Sequence, residues 1–197
     1  RYDASPSLAT SIERTITLNG ATADDLAHVE LYSCFPCVPK MARRILGWPL
    51  DKPATVFGGL TFGGGPIGNY MSHAVVAMVE KLRGTSDKGL LFANGGYATH
   101  NHTILVSGAP TGARFPQGFD YQSEADGRRG EVPPLDESFA GPATIETYTV
   151  HYRRDGSVQS GVIVARTEDG SRTLASVPAA DQETIEFLTD GRNEPVG

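Results

Sequence analysis

The stretch Gly58-Gly-Leu-Thr-Phe-Gly-Gly-Gly-Pro-Ile-Gly-Asn69 holds six glycines in twelve residues and leads directly into the segment 70–83. Glycine gives the backbone access to positive φ angles and allows it to approach a ligand closely. The segment that follows repeats apolar residues at helical spacing, namely Ala74, Val75, Met78, Val79 and Leu82. We therefore predict a glycine-rich loop that opens a helix packed by that face. The start of such a helix can hold a phosphate or an oxyanion, whereas a tight turn under a core helix is the alternative.

Composition and charge favour a soluble, cytoplasmic protein. The 197 residues allow one medium domain or two small ones, and no apolar run suggests a membrane span or a signal peptide. Cys34 and Cys37 are too few and too close to form the disulfide framework of a secreted protein. A net charge of −6 argues against nucleic acid or an anionic membrane as the main partner, because both attract basic surfaces. No obvious terminal element begins or ends the chain, so we expect it to be a piece of a longer protein.

Residues 1–108 alternate between helical and strand patterns, which is typical of a layered α/β fold. Pro6 suits the first turn of a helix over 5–16, and Gly47 suits the end of a helix whose apolar stripe begins at Val38. Strand patterns cover residues 27–32, 89–93 and 103–107.

The chain changes character after residue 108. Residues 109–142 are rich in proline, glycine and charge, and we interpret them as a linker with little structure of its own. Three β-rich runs follow, over 144–152, 158–166 and 173–177, with Asp155-Gly156 and Asp169-Gly170 between them. Asp-Gly between such runs is a strong hairpin signal. We therefore predict that residues 143–197 form a small all-β, barrel-like domain with a helix over 181–188.

Several polar side chains near the predicted loops could carry chemistry. Cys34-Phe-Pro-Cys37 lies between a strand and a helix, which permits either a dithiol oxidoreductase or two packed thiols. His73 follows Asn69 by four residues, so both can face one site at the start of the glycine-loop helix. The pair His100-Asn-His102 has no third ligand nearby, so we predict no metal site.

Three stretches together resemble the three active-site loops of the C-terminal half of a thiolase, in order and in spacing. They are Glu30-Leu-Tyr-Ser-Cys-Phe-Pro36, Gly58–Tyr70 and Phe92-Ala-Asn-Gly-Gly-Tyr97. The resemblance covers about residues 1–108. Residues 143–197 look like the start of the β-barrel extension of thiolase-like proteins that are classed as acetyl-CoA acetyltransferases.

The resemblance implies acyl transfer on coenzyme A thioesters in lipid metabolism, in which a cysteine takes the acyl group and loop donors stabilise oxyanions. The family's nucleophilic cysteine belongs to the N-terminal half, so neither Cys34 nor Cys37 inherits its role. Tyr32 replaces the side chain that holds the catalytic water, Gly65 replaces the histidine of the second loop, and Ala93 replaces the cysteine of the third. One positioned acid or base is worth about 10²- to 10⁴-fold in rate, so these losses should remove ordinary thiolase catalysis.

The resulting hypothesis is the acyl-CoA-binding part of a thiolase-like acyltransferase, with a coenzyme A thioester as substrate or ligand and no covalently bound cofactor. Its expected partner is the N-terminal thiolase half, and the alternative is a non-catalytic scaffold or lipid-pathway partner. The candidate catalytic positions are Tyr32, Cys34, Gly65, His73 and His100. The candidate ligand-binding positions are Gly64, Pro66, Gly68, Asn69, Asn94, Gly95 and Gly96.

Overall fold

The computed structural model describes residues 3–110 and 119–197. The chain forms two compact units, Arg1–Gly130 and Glu131–Gly197. The division predicted from the sequence, with a linker over 109–142, stays a prediction. No helix of the described residues is long and apolar enough to cross a membrane.

The first unit alternates helices and strands, as the sequence predicted. Its elements are α1 (Pro6–Leu18), a 3₁₀ turn (Ala23–Asp25), β1 (Leu26–Leu31), α2 (Cys37–Leu46), α3 (Gly59–Gly63), α4 (Tyr70–Leu82), β2 (Lys88–Gly95), β3 (His100–Ser107) and α5 (Gln122–Arg129). Pro6 occupies the first turn of α1, and the Ser5 hydroxyl accepts a hydrogen bond from the Leu8 N–H at 3.3 Å. α2 ends at Gly47, whose φ of 71° lies in the left-handed region that glycine adopts easily.

A three-stranded sheet in the order β1-β2-β3 forms the centre of the first unit. β1 and β2 are parallel, whereas β2 and β3 are antiparallel. α1 and α2 cover one face, where Leu8, Val38 and Phe92 are fully buried. α4 covers the other face with the buried residues Tyr70, Ala74, Met78 and Leu82, which pack against Leu91. The mixed α/β class is confirmed, with helices on both faces of the sheet.

The face of α4 that packs against the sheet is narrower than the apolar face predicted from the sequence. Ala74, Met78 and Leu82 are buried as predicted, but Val75 and Val79 are 40% and 43% exposed. Each residue turns the helix by about 100°, so the stripe that begins at Val75 lies beside the buried stripe and turns away from the sheet. The prediction that all five residues share one packed face is therefore wrong for these two valines.

The segment interpreted as an unstructured linker contains the helix α5, which packs beside α1 in the first unit. The Arg14 Nε donates to Glu124 Oε2 at 2.6 Å, and Arg128 pairs with the same carboxylate one helical turn away at 2.8 Å. Ala125 is the one buried residue of α5, so the segment lacks the apolar periodicity from which a helix is predicted. Residues 111–118 of this segment lie outside the described residues.

The second unit is an open antiparallel sheet with one covering helix. The strands β4 (Thr144–Tyr152), β5 (Val158–Arg166) and β6 (Arg172–Pro178) lie in that order, and α6 (Gln182–Thr189) follows them. Ile185 and Leu188 of α6 pack against Val177. Gly156 and Gly170 turn the two hairpins with φ angles of 83° and 87°, as their Asp-Gly pairs predicted.

The prediction of a barrel-like domain is wrong in the described residues, because the strands of the second unit do not close. β5 pairs with both neighbours, and β4 and β6 form the two edges of the sheet. A small closed barrel needs several more strands, each tilted against its neighbours, to enclose its interior. Here α6 buries one face of the sheet in place of a second layer of strands.

Candidate functional site

The three loops singled out in the sequence meet at one edge of the first unit's sheet. β1 and β2 are parallel, so the loops that follow them leave at the same edge. α4 precedes β2, and β3 runs antiparallel to it, so the start of α4 and the start of β3 also lie there. We call the three segments the first loop (32–36), the glycine loop (58–69) and the third loop (95–99).

Aromatic rings connect the first loop to the third loop and to the start of α4, directly after the glycine loop. The Tyr32 ring stacks on Tyr70 at the start of α4, with 3.5 Å between the ring centroids and 12° between the planes. The Phe35 ring meets Tyr97 of the third loop edge-on, with 5.1 Å between the centroids. The Cys37 Sγ lies 3.4 Å from the Tyr97 hydroxyl oxygen. The loops therefore form one continuous surface.

The glycine loop takes its shape from conformations and close contacts that only glycine allows. Gly58, Gly64 and Gly68 have φ angles of 106°, 66° and 69°. At position 63 the requirement is steric instead, since a Cβ would lie 2.5 Å from Phe57 Cε1 and 2.8 Å from Tyr70 Cε2. The loop backbone thus passes directly over these two rings.

His73 lies in the first turn of α4 and is exposed. Its ring is nearly parallel to that of Phe57, with 5.5 Å between the centroids and 13° between the planes. The Asn69 Nδ2 lies 3.5 Å from the His73 Nε2, and the Asn69 side chain makes no capping hydrogen bond to α4. The two side chains that the sequence placed on one side of the helix therefore contact each other. Phe57 is a neighbour of His73 that the sequence analysis missed.

A buried carboxyl group lies beneath these loops. Glu30 on β1 is 0% exposed. Its Oε2 accepts hydrogen bonds from the N–H groups of Val56 and Phe57, and its Oε1 accepts one from the Tyr70 hydroxyl, all at 3.0 Å. Burial raises the pKa of Glu30, against the opposite effect of these three donors. Burial, followed by the nearby Glu30 carboxyl, also raises the pKa of Tyr70.

Sequence reasoning assigned no role to Glu30. The residue interrupts the apolar run Val29-Glu-Leu31 in the middle of a predicted strand. Because side chains alternate between the two faces of a strand, a glutamate between Val29 and Leu31 is expected to face solvent; the structure instead buries Glu30 on the face that α4 covers. Its partners Val56 and Phe57 could not be identified, because they lie far away in the sequence and contribute only backbone N–H groups.

The third loop is a tight turn held by α1 and β3. Gly96 and Ala98 have φ angles of 56° and 52°, and Ala98 is the one residue other than glycine with a positive φ among the described residues. The Ala98 carbonyl accepts hydrogen bonds from the Ser5 and Ser7 hydroxyls at 2.7 and 3.1 Å and from the Asn101 amide at 2.9 Å. Three donors on one carbonyl offset the backbone strain at Ala98 and fix this turn.

The candidate positions fall into two groups at the sheet edge. Tyr32, Asn69 and His73 are connected through the rings of Tyr70 and Phe57. The other group consists of the third loop and the strand residues on either side of it. There the Asn94 Nδ2 at the end of β2 donates to the Gly96 carbonyl at 3.4 Å, and the Nδ1 of His100, the first residue of β3, lies 3.1 Å from Thr99 Oγ1. The candidate positions that are exposed are Cys34, Gly64, Gly65, Gly68, Asn69, His73, Gly95, Gly96 and His100.

The geometry leaves some predicted residues apart. Among the described residues, no hydrogen bond or ring contact joins Cys34 or His100 to His73. Cys34 and Cys37 are free thiols. No three His, Cys, Asp or Glu side chains of the described part of the chain lie close enough together to hold a metal ion.

Comparisons with known proteins support the resemblance of the chain to the C-terminal part of a thiolase-like protein. Residues 122–197 match the family model of the thiolase-like protein type 1 additional C-terminal domain. The chain is similar to the crystal structure of a monomeric SCP2-thiolase-like protein type 1 from Mycobacterium smegmatis, with a TM-score of 0.82 and 32% sequence identity. The similarity covers 98% of this chain and 42% of the other, so the chain spans less than half of that protein. No curated protein matches the sequence.

Proposed function

We propose that this chain is a C-terminal region of a thiolase-like protein and forms one wall of a site that binds coenzyme A thioesters; its similarity to such proteins supports the proposal. The observation that supports the proposal best is the convergence of the three loops. The Tyr32–Tyr70 stack joins the first loop to the helix that follows the glycine loop, and the Phe35–Tyr97 contact joins the first loop to the third. A thioester lying on this surface would touch all three loops.

The residues present are suited to binding and orienting such a ligand. Gly65 and Gly68 expose the loop backbone immediately before α4. The start of α4, a helix of thirteen residues, offers the partial positive charge that favours a phosphate or the oxygen of a polarised thioester carbonyl. His73 and Asn69 add two exposed polar side chains beside that helix start. In an acyl transfer, His73 is the group placed to donate a hydrogen bond or to move a proton.

We further propose that the rest of a thiolase-like polypeptide completes the site. The outer face of α4 exposes Val75, Val76 and Val79 by 40%, 58% and 43%, and Phe62 and Ile67 of the glycine loop are 79% and 102% exposed. An apolar surface of this kind on a helix is typical of an interface. The Mycobacterium smegmatis protein is monomeric, and 58% of its length lies outside the match, so an intramolecular cover is the simplest occupant.

Calorimetric titration of the full-length protein with coenzyme A and with acetyl-CoA tests the proposal. We expect saturable binding that the substitution His73→Ala weakens by roughly 3- to 10-fold, which corresponds to the loss of one hydrogen bond. His151→Ala, an exposed histidine of the second unit, is the matched control and should bind as the unsubstituted protein does. Absence of binding at millimolar ligand, or equal effects of the two substitutions, would reject the proposed site.

A non-catalytic scaffold is the second candidate, and the three departures from the family's loops favour it. Tyr32, Gly65 and Ala93 supply none of the side chains that thiolase chemistry uses at those places. A scaffold and an acyltransferase respond differently to His73→Ala. A scaffold keeps its cellular function, whereas an acyltransferase loses its acyl-transfer product while the protein remains folded and bound to coenzyme A at high ligand concentration.

A further inference from the structure

We infer that Glu30 is a positioning residue, which ties both ends of the glycine loop to β1 and thereby orients His73 for the coenzyme A thioester. The inference rests on the proposed function for the identity of the ligand. The positioning itself rests on contacts that are present without any ligand.

One carboxyl group holds both ends of the loop. The N–H groups of Val56 and Phe57 lie just before the glycine loop, and the Tyr70 hydroxyl belongs to the residue just after it. Between these two anchors the backbone contains the five-residue α3 and six glycines. Glycine adopts many conformations when it is not restrained, so a segment of this composition needs fixed ends to keep one shape.

The chemistry at this position calls for a group that accepts hydrogen bonds. Two backbone N–H groups and one hydroxyl point at the two oxygens of Glu30, and an ionised carboxylate is an acceptor at both oxygens. The side chain is fully buried on the α4 side of the sheet, beside the apolar cluster that includes Tyr70 and Leu91. An apolar residue in its place would leave the two backbone N–H groups without a partner in a dry environment.

The effect reaches His73 through Phe57. Glu30 accepts from the Phe57 N–H, and the Phe57 ring is stacked against His73 at 5.5 Å between centroids. The Phe57 ring also meets the Tyr70 ring, with 5.5 Å between the centroids and 64° between the planes. Two partners of Glu30, one at each end of the loop, therefore contact each other. Asn69 contacts the His73 ring at its Nε2. The imidazole is thus held between Phe57 and Asn69, and the position of Phe57 depends on Glu30.

The test is NMR of the full-length protein with ring-labelled histidine. The variant His73→Ala identifies the His73 signal by its loss. The variant Phe57→Leu shows where that signal lies when the stacked ring is absent. Glu30→Asp keeps the charge but shortens the side chain by one C–C bond of about 1.5 Å, so it cannot reach both loop ends. Glu30→Gln keeps the length of the side chain, and its amide oxygen can still accept hydrogen bonds from the two backbone N–H groups. We expect the His73 signal in Glu30→Asp to move toward that of Phe57→Leu, and Glu30→Gln to keep it near its original position. The signal of His151 in the second unit should stay constant throughout.

Two results would overturn the inference. One is an unchanged His73 signal in folded Glu30→Asp. The other comes from hydrogen exchange in the unsubstituted protein, which remains informative if Glu30→Asp does not fold. The amides of Val56 and Phe57 should exchange much more slowly than those of the exposed Gly65 and Gly68, and equally fast exchange would show that Glu30 does not hold them.

These measurements need no coenzyme A, so the two proposals can fail separately. A displaced His73 signal together with absent coenzyme A binding would reject the proposed ligand and retain the positioning role. Normal coenzyme A binding together with an unchanged His73 signal in Glu30→Asp would retain the proposed ligand and reject the positioning role of Glu30.

Discussion

The substitution Gly63→Ala tests whether the glycine loop is packed on two fixed rings. The added Cβ would lie 2.5 Å from Phe57 Cε1 and 2.8 Å from Tyr70 Cε2, whereas carbon atoms normally approach to about 3.5 Å. The backbone or the rings must therefore shift by about 1 Å. The rings cannot move freely, because the Tyr70 hydroxyl donates to Glu30 and the Phe57 ring is packed against Tyr70, His73 and Phe62.

The expected cost follows from this crowding. Overpacking in a fixed environment typically lowers the free energy of unfolding by about 1–3 kcal/mol, and replacing glycine by alanine returns about 0.4–1 kcal/mol by restricting the unfolded chain. We expect a net loss of about 1–2 kcal/mol. Gly65→Ala is the matched control, since its Cβ would meet nothing closer than Leu60 Cδ1 at 3.5 Å and its φ is not positive. It should be neutral or slightly stabilising.

Urea unfolding of the two variants in the full-length protein, with equal m-values, measures this difference directly. Thermal unfolding is an independent check, and Gly63→Ala should unfold at a lower temperature than Gly65→Ala. Free energies of unfolding that agree within about 0.5 kcal/mol would refute the argument that Phe57 and Tyr70 are held in place under the loop.

Two further predictions concern other parts of the chain. Hydrogen bonds and charge from Arg172, and then from Arg166, lower the pKa of Glu146 below its ordinary value. A carboxyl group whose pKa is lowered in the folded state stabilises the protein fully above its ordinary pKa, and this stabilisation is lost as the pH falls through the lowered pKa of the folded state. Glu146→Gln should therefore destabilise the second unit at pH 7, and this cost should shrink steadily as the pH is lowered below the ordinary pKa of a glutamate, as measured by urea unfolding at a series of pH values; a cost that stays constant over the series would contradict this. Cys34 is exposed, whereas Cys37 is partly buried and lies 3.4 Å from the Tyr97 hydroxyl oxygen. Alkylation mapped by mass spectrometry should modify Cys34 first in the native protein, and equal rates would be inconsistent with these environments.

Local patterns in the sequence predicted most of the regular elements. Pro6 and Gly47 marked one end each of α1 and α2, because proline suits a first turn and glycine adopts the left-handed region at a helix end. Gly156 and Gly170 marked the hairpins of the second unit for the same conformational reason. These signals are reliable because they depend on the backbone preferences of single residues or of close neighbours.

Elements without such signals were missed. α5 carries almost no apolar residue, and it is held by the ion pairs of Glu124 with Arg14 and Arg128, of which Arg14 belongs to α1, far away in the sequence. The barrel-like prediction failed for a related reason. A run of strands does not reveal whether a sheet closes, since closure depends on the number and tilt of strands and on what covers the open face. In the second unit α6 covers that face.

The amino-acid sequence was sufficient to identify the three loops and their order, because glycine content and short motifs are local properties of the chain. Which residues those loops bring together depended on the fold. The parallel pairing of β1 with β2 places the loops at one edge, and burial of Glu30 on the α4 side of β1 lets one carboxyl group hold Val56, Phe57 and Tyr70. Hydrogen bonds to backbone N–H groups leave no trace in residue identity. For this reason the support beneath His73 became visible only when distant segments of the chain were folded against each other.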